Sequence, residues 1–166
     1  MSDKEFKQII AGMVVIVDTR EKKNQHILDY FEKYNIPYEI RKLETADYTV
    51  EFPKNPEFNH CVLIERKGSL NELAGNFTTN RERFVREFER LENEEMHMIV
   101  EGASFKKILN QSYRSSMHPK AFIASLFTFY YRYNCNLWLL PSKEETPIVM
   151  YGLFYYHLRE KILGNI

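Results

Sequence analysis

Three consecutive residues at the end of an apolar run have the chemical types needed for metal-assisted hydrolysis. Glu65, Arg66 and Lys67 follow the apolar residues 61–64. Side chains alternate along a strand, so Glu65 and Lys67 are predicted to lie on one face. If Asp47 arrives from a neighbouring strand, two carboxylates flank the lysine. Hard divalent cations prefer such oxygen ligands, and a lysine can stabilise an anion or help to activate water. The pattern indicates phosphodiester hydrolysis, although it is too short to identify a function by itself.

Other charged residues stand at the ends of neighbouring predicted strands. Asp18 and Glu21 follow the first strand, and Asp47 begins the third. In α/β proteins, ligand sites gather where strands open into loops. Any one of these side chains alone would most simply be a solvated loop residue. Their convergence with Glu65 and Lys67 would be costly unless a cation neutralised the acids, which favours a cation site.

An arginine-bearing helix is a second candidate for function. Its arginines recur at i, i+3 and i+7 beside an apolar stripe, and glutamates interleave with them; the arginines are Arg83, Arg86 and Arg90. Guanidinium groups on one face can grip phosphates in bidentate fashion. A solvated face with ordinary ion pairs explains the same pattern, so both interpretations stay open.

Strands and helices interleave along the chain. The β-branched run 13–17 predicts a strand buried on both faces. Further strands are predicted over 38–43, 47–50, 61–65, 96–100 and 136–140. Helices are predicted over 27–34, 70–74, 84–91, 105–109 and 119–133, and from Pro147 to about Ile162. This order predicts an α/β fold with a central mixed sheet covered by helices on both faces, in a single domain over residues 1–166.

The composition excludes some classes of protein. Of the 166 residues, 44% are hydrophobic and 14% aromatic, which excludes a disordered chain. Lys plus Arg and Asp plus Glu each number 23, so any nucleic-acid surface must be a local basic patch. The sequence has no signal-peptide pattern and no apolar stretch of membrane-spanning length. We therefore expect a cytoplasmic protein with no membrane partner.

Two helices near the C-terminus have almost no polar face. The first spans Phe122 to Tyr131 and the second spans Ile148 to Leu158. A helix that is apolar all round must be buried on all sides, by the core or by another subunit. Two such helices are hard to cover in a domain of this size, and tyrosine suits an interface. The pattern favours a homodimer through these helices.

A series of short motifs in this order resembles the XPF-type (XPF/Hef) nuclease domain, a branch of the restriction-endonuclease-like superfamily. The resemblance covers about residues 13–140. The motifs are Val15-Ile16-Val17-Asp18-Thr19-Arg20-Glu21, Ala46-Asp47-Tyr48, Ile64-Glu65-Arg66-Lys67, Arg83-Phe84, Arg90-Leu91 and Val100-Glu101-Gly102. Their order and spacing agree with the family throughout. The resemblance is therefore far more specific than the pattern of Asp47, Glu65 and Lys67 alone.

The resemblance implies a fold, an activity and residue roles. Enzymes of this type cut branched DNA such as flaps, forks and junctions, using Mg2+ or Mn2+. The resemblance implies metal binding by Asp18, Asp47 and Glu65, and catalytic support from Lys67. Glu21 would be a supporting catalytic residue. The implied DNA-binding residues are Arg20, Arg66, which would brace the site or contact phosphate, and Arg83.

The sequence departs from the family pattern in three places. Asn71 stands where the family usually has aspartate, and Ala46 replaces a glycine. The resemblance leads us to expect a compact bacterial or phage-like member without the tandem helix-hairpin-helix module that usually follows the domain. The resemblance then implies a separate DNA-binding partner, dimerisation through the domain's own helices, or weak binding. A bacterial or phage-infected cytoplasm is the expected location, with nucleoid association when DNA is bound.

Two hypotheses follow. The leading one is a metal-dependent, structure-selective DNA endonuclease. The alternative is a catalytically inactive nuclease-fold subunit that binds DNA or recruits a partner, for which Asn71 is the one hint. An intact Glu65-Arg66-Lys67 motif argues against the alternative. The same site chemistry would also serve an RNA nuclease.

Overall fold

The computed structural model describes residues 3–91 and 94–166. Within these ranges six strands form one mixed sheet in the order β2-β1-β3-β4-β5-β6. The strands are β1 Val14–Val17, β2 Tyr38–Ile40, β3 Tyr48–Glu51, β4 Leu63–Lys67, β5 Met96–Glu101 and β6 Cys135–Leu140. β1 is parallel to β2 and antiparallel to β3, β3 is antiparallel to β4, and β5 is parallel to β6. The predicted α/β fold with a mixed sheet is confirmed.

Seven α-helices lie in the described part of the chain. They are α1 Asp3–Ile10, α2 Gln25–Lys33, α3 Leu70–Phe77, α4 Arg81–Glu89, α5 Phe105–Leu109, α6 Pro119–Arg132 and α7 Thr146–Leu163. Short 3-10 turns occupy Pro56–Phe58 and Lys143–Glu145. No helix within the described ranges combines the length and the apolar character that a membrane crossing requires.

Helix α1 is absent from the sequence-based prediction. It has only eight residues, and a helix of that length owes its stability to tertiary packing rather than to its own propensity. Phe6 supplies such packing, because its ring meets that of Tyr155 on α7 edge to face at 5.2 Å. Strand β2 is also shorter than predicted, since it ends at Ile40 rather than at Leu43.

The chain divides into two compact units. The first comprises the chain up to Ile64 together with Pro147–Ile166, and the second comprises Glu65–Thr146. The single domain over residues 1–166 stays a prediction.

The core of the first unit is aliphatic and aromatic. β1 buries Val15, Ile16 and Val17, each at most 1% exposed. Phe31 of α2 and Phe154 of α7 are fully buried. Burial of side chains of this size supplies about 1.5–3 kcal/mol each. The continuous apolar run of β1 is therefore a core strand, as its sequence predicts.

Five phenylalanines form the core of the second unit. This phenylalanine cluster joins α3, α4 and α6, and no member is more than 4% exposed. Phe84 stacks on Phe129 with ring centroids 5.1 Å apart, and Phe88 meets the same ring edge to face at 4.9 Å. The members are Phe77, Phe84, Phe88, Phe122 and Phe129. Aromatic pairs of this geometry add about 0.5–1.5 kcal/mol beyond burial.

The two aromatic helices are covered on one side only. α6 buries Phe122 and Phe129, yet its Tyr131 is 79% exposed. On α7, Phe154 is buried and Tyr156 is 61% exposed. The sequence predicts that the core or another subunit covers these helices on all sides. The chain's own core covers only part of each helix, and cover by a second subunit stays a prediction.

We predict that Phe84→Ala lowers the free energy of unfolding by about 3–5 kcal/mol, because it opens a cavity inside the phenylalanine cluster. Urea unfolding followed by circular dichroism measures the change. Phe105→Ala is the matched control: Phe105 is 48% exposed, and its loss is expected to change stability by about 0.5 kcal/mol or less. Equal effects of the two substitutions would contradict this packing.

Candidate functional site

The carboxylate of Asp18 connects two loops of the first unit. Asp18 follows β1 and is fully buried. Its Oδ1 accepts hydrogen bonds from the Arg20 backbone N and Nε, both at 2.7 Å. Its Oδ2 accepts from Arg20 Nη2 at 3.2 Å and from Leu43 N at 2.6 Å. Arg20 Nη2 also donates to Leu43 O at 3.2 Å. The loop after β1 is thereby fixed to the loop that precedes β3.

These contacts keep Asp18 ionised. Burial by itself raises the pKa of a carboxyl group, because it disfavours the charged form. The side-chain and backbone hydrogen bonds from Arg20, the backbone hydrogen bond from Leu43 and the Arg20 charge outweigh burial, so the pKa of Asp18 lies below its ordinary value. A carboxylate surrounded by donors in this way is already stabilised without a metal.

Asp47 and Glu21 lie beside this connection. Asp18 N donates to Asp47 O at 2.8 Å, and Asp47 N donates to Ile64 O at 2.9 Å. The Tyr48 hydroxyl donates to Glu21 Oε2 at 2.7 Å. The structure therefore places the backbones of Asp18 and Asp47 in contact where β1 ends and β3 begins, with Glu21 bonded to the neighbouring Tyr48; the convergence of their side chains in one site stays a prediction.

Ala46 adopts a conformation that explains the glycine expected at its position. Its φ is +65°, in the left-handed region that favours glycine. An L-residue there costs about 1–2 kcal/mol. The replacement of glycine by alanine therefore leaves the fold intact and strains one residue beside Asp47.

Glu65 and Lys67 meet at the end of β4, in the second unit. Lys67 Nζ donates to Glu65 Oε1 at 2.7 Å, and their side chains are 8% and 14% exposed. The ammonium also lies 4.8 Å from the centroid of the Phe84 ring, a cation–π distance. The predicted placement of both side chains on one face is confirmed. The phenylalanine cluster thus contacts Lys67 through the face of the Phe84 ring.

Arg66 points away from this pair. Its Nη1 donates to Glu101 Oε2 at 2.9 Å, and the two side chains are 5% and 6% exposed. The other Glu101 oxygen accepts from Thr146 Oγ1 at 2.9 Å. Of the two roles that the sequence left open for Arg66, this buried pair matches the bracing role rather than a contact with phosphate.

Arg83 lies on the surface of α4. Its side chain is 77% exposed and pairs with Glu87 one turn away at 3.1 Å. Exposed helical pairs contribute only about 0.3–0.5 kcal/mol, so a phosphate could displace this glutamate. Both interpretations of the arginine face remain compatible with the structure.

The donor set suits a hard divalent cation. Carboxylate oxygens are the ligands that Mg2+ and Mn2+ prefer. The acids are engaged with cationic side chains, Asp18 with Arg20 and Glu65 with Lys67. Across residues 3–91 and 94–166, no group of three or more His, Cys, Asp or Glu side chains is arranged to hold a metal ion. A metal would therefore have to compete with at least one ion pair.

The sequence matches the family model described as the ERCC4 domain over residues 17–153. This range includes Asp18, Glu21, Asp47, Glu65 and Lys67. The chain belongs to the ERCC4-domain family. The family expected from the sequence motifs is thereby confirmed. None of the curated proteins matches the chain.

Solved structures share the fold of this ERCC4 domain. XPF from Aeropyrum pernix in complex with DNA superposes with a TM-score of 0.65 at 19% identity, over 88% of this chain and 65% of that one. A second structure of XPF from Aeropyrum pernix gives a TM-score of 0.61 at 18% identity, over 89% of this chain and 61% of that one. This chain thus spans less than two thirds of their length. The restriction-endonuclease-like fold is confirmed.

The ERCC4 domain also contains an acid beside Lys67 that the sequence analysis missed. Asn71 turns its Oδ1 to the backbone N of Arg114 at 2.6 Å. Its neighbour Glu72 places Oε1 4.0 Å from Lys67 Nζ, while Oε2 accepts from Gly68 N at 2.9 Å. Ser69 caps the Glu72 backbone N at 3.2 Å. The Ser-x-x-Glu capping pattern of residues 69–72, which begins two residues after Lys67, was the signal that could have revealed Glu72.

We predict that Asp18→Asn lowers the free energy of unfolding by about 1–3 kcal/mol at pH 7, because it weakens charge-assisted hydrogen bonds from Arg20 and Leu43. A lowered native pKa stabilises the fold above the unfolded pKa, about 4, and this contribution is lost as pH falls through the native pKa. The difference between the two proteins should therefore shrink below about pH 4. Urea unfolding from pH 7 to pH 3 measures it.

The exposed acid of the same loop provides the control. Glu44→Gln should leave the unfolding free energy of the protein nearly unchanged across this pH range. A difference between wild type and Asp18→Asn that stays constant down to pH 3 would contradict the lowered pKa.

Proposed function

We propose that this ERCC4 domain is a metal-dependent endonuclease that hydrolyses phosphodiester bonds in branched DNA such as flaps, forks and junctions. The observation that carries the proposal is the ion pair between Lys67 and Glu65, held in a mostly buried position over the Phe84 ring. Burying such a pair is costly in desolvation and contributes little to stability. A mostly buried ion pair is therefore a candidate functional site.

In the proposed site, Asp47 and Glu65 hold Mg2+ or Mn2+. The support for assigning the metal to these two acids is the family to which the chain belongs. When bound, such a cation polarises the scissile phosphate and lowers the pKa of a water molecule. Asp18, the third ligand expected from the resemblance, has a different role in our proposal. Arg20 and Leu43 already engage both of its oxygens, so it holds the loops that carry Asp47 and Arg20.

The other residues have distinct tasks in this proposal. Lys67 stabilises the negative charge that develops on the phosphate during attack. Glu21 holds the Tyr48 hydroxyl and thereby the start of β3. Arg66 braces β4 through Glu101. Arg20 and Arg83, whose side chains are 60% and 77% exposed, contact the DNA backbone.

DNA as the substrate is proposed from the family and from one structural relative. One of the similar structures is a complex of Aeropyrum pernix XPF with DNA. We extend that substrate class to this chain and place its activity in the cytoplasm, on the nucleoid when DNA is bound. We also propose a separate DNA-binding partner, which would strengthen the DNA binding of a domain whose formal net charge is zero.

The inactive subunit is the second candidate function. The observation in its favour is that Asn71 stands where the family usually has an acid. Its Oδ1 accepts a hydrogen bond from the backbone N of Arg114. Glu72, 4.0 Å from Lys67, supplies an acid one residue later and favours the active enzyme.

We predict that Lys67→Ala reduces cutting of flap or fork DNA at least about 100-fold in Mg2+ or Mn2+, because the developing charge loses its lysine. Glu65→Gln, which keeps the shape of the side chain and removes its charge, should have the same effect. Single-turnover cleavage of labelled substrates measures the rates, and circular dichroism verifies folding.

Lys106→Ala is the matched control, since Lys106 is an exposed lysine of the same unit, and it should cut at the wild-type rate. Wild-type rates in a folded Lys67→Ala variant would contradict the assignment. A wild-type protein that cuts no flap, fork, nicked or junction substrate with either metal would instead support the inactive subunit.

We further propose that the chain forms a homodimer through α6 and α7. The support is the apolar surface that these helices leave exposed. Phe127 is 50%, Tyr131 79% and Tyr156 61% exposed. Large exposed apolar patches commonly mark association surfaces, and tyrosine is enriched in them.

The expected solution mass is that of two 19.9 kDa chains, measured by size-exclusion chromatography with light scattering. Tyr131→Asp combined with Tyr156→Asp should give a monomer, because it would bury unpaired charges in the interface. Tyr34→Asp is the control: Tyr34 is 54% exposed on α2's end, and its substitution should leave the dimer intact. A wild-type protein that stays monomeric at all concentrations would contradict the dimer.

A further inference from the structure

The two loops connected by Asp18 expose a cluster of basic side chains. The loops cover residues 19–24 and 41–46, and both are fully described. Their exposed charges are four cations and one acid, Glu44; the cations are Arg20, Lys22, Lys23 and Lys42. Over the whole chain the formal charges cancel. The local excess of positive charge therefore gives this surface a potential that the composition alone hides.

Most exposed arginines near this surface and on α4 have an acidic partner, and Arg20 itself pairs with Asp18. On α4, Arg83 and Arg86 each have a glutamate one turn away, at 3.1 and 4.0 Å. Arg41, the partly buried cation of the second loop, pairs with Glu51 at 2.5 Å. Among the described residues, neither Lys23 nor Lys42 forms a salt bridge. Their charges are thus available to an external anion.

The backbone that carries these cations is held in place. Arg20 Nη2 contacts Leu43 O at 3.2 Å, which sets Lys42, the residue before Leu43, beside the first loop. Lys22 Nζ donates to Thr19 O at 3.1 Å. The loops are therefore ordered before any ligand arrives, and binding does not have to fix them.

We propose that these loops form a surface for the phosphate backbone of DNA, contacted by Arg20, Lys22, Lys23 and Lys42. The inference rests on the proposed function and deepens it, since it assigns lysines that the sequence motifs did not single out. Contacts of lysine and arginine with phosphates position a protein on nucleic acid without reading the bases. That property suits a nuclease that selects DNA by its structure.

The test is the binding of a fluorescently labelled fork DNA by anisotropy, in EDTA so that no cutting occurs, between 50 and 200 mM salt. The variant combines Lys22→Gln, Lys23→Gln and Lys42→Gln. It should bind at least about tenfold more weakly at low salt, and the slope of log affinity against log salt should fall by about 2–3, since each phosphate contact contributes about 0.9.

A charge-matched control combines Lys4→Gln, Lys7→Gln and Lys33→Gln, which are exposed lysines on α1 and α2. It should keep the wild-type affinity and slope. Wild-type affinity and slope in the loop variant, or an equal loss in the control, would overturn the proposed surface. Cutting by the wild type and its loss in Lys67→Ala would still support the endonuclease in that event. Failure of both the wild type and the control to bind any fork would overturn both proposals.

Discussion

One requirement governs much of this structure: three consecutive charged residues stand at the mostly buried end of β4, and each buried charge needs a partner. Glu65, Arg66 and Lys67 occupy successive positions of β4, and the side chains of the two basic residues are at most 8% exposed. A buried charge without a partner is very unfavourable. Alternation along the strand therefore gives each basic residue its own acid. Arg66 takes Glu101 at the end of β5, and Lys67 takes Glu65. The ammonium group of Lys67 also lies over the ring of Phe84, a member of the phenylalanine cluster.

The same physical requirement shapes the first unit. Asp18 is fully buried and remains charged because Arg20 and Leu43 donate to both its oxygens. One carboxylate thereby determines the position of two loops and of the cations they expose. In this account, stability and recognition share these residues: the hydrogen bonds that keep Asp18 ionised also arrange the basic surface. In the proposed mechanism catalysis depends on other acids, and Glu65 would exchange its contact with Lys67 for a metal.

Local pattern predicted much of the fold and the candidate site. Alternation placed Glu65 beside Lys67, and the apolar run of β1 identified a core strand. The partner of Arg66 could not be predicted, because Glu101 lies 35 residues away and only tertiary packing brings them together. Helix α1 was missed because a short helix depends on a distant ring, that of Tyr155. The sequence indicated that the two aromatic helices are hard to cover, but it did not indicate that Tyr131 and Tyr156 are the exposed side chains. When a helix is apolar all round, its sequence does not indicate which side packs on the core and which side stays exposed.

The central claim is the proposal that binding of a divalent cation requires both Asp47 and Glu65. Isothermal titration of Mn2+ into the protein without DNA tests it most directly, because binding is measured apart from cutting. The account predicts binding to the wild type that is lost in Asp47→Asn and in Glu65→Gln, and retained in Glu44→Gln, an exposed acid of a neighbouring loop. Unchanged Mn2+ binding in folded Asp47→Asn or Glu65→Gln, or no binding to the wild type, would contradict it.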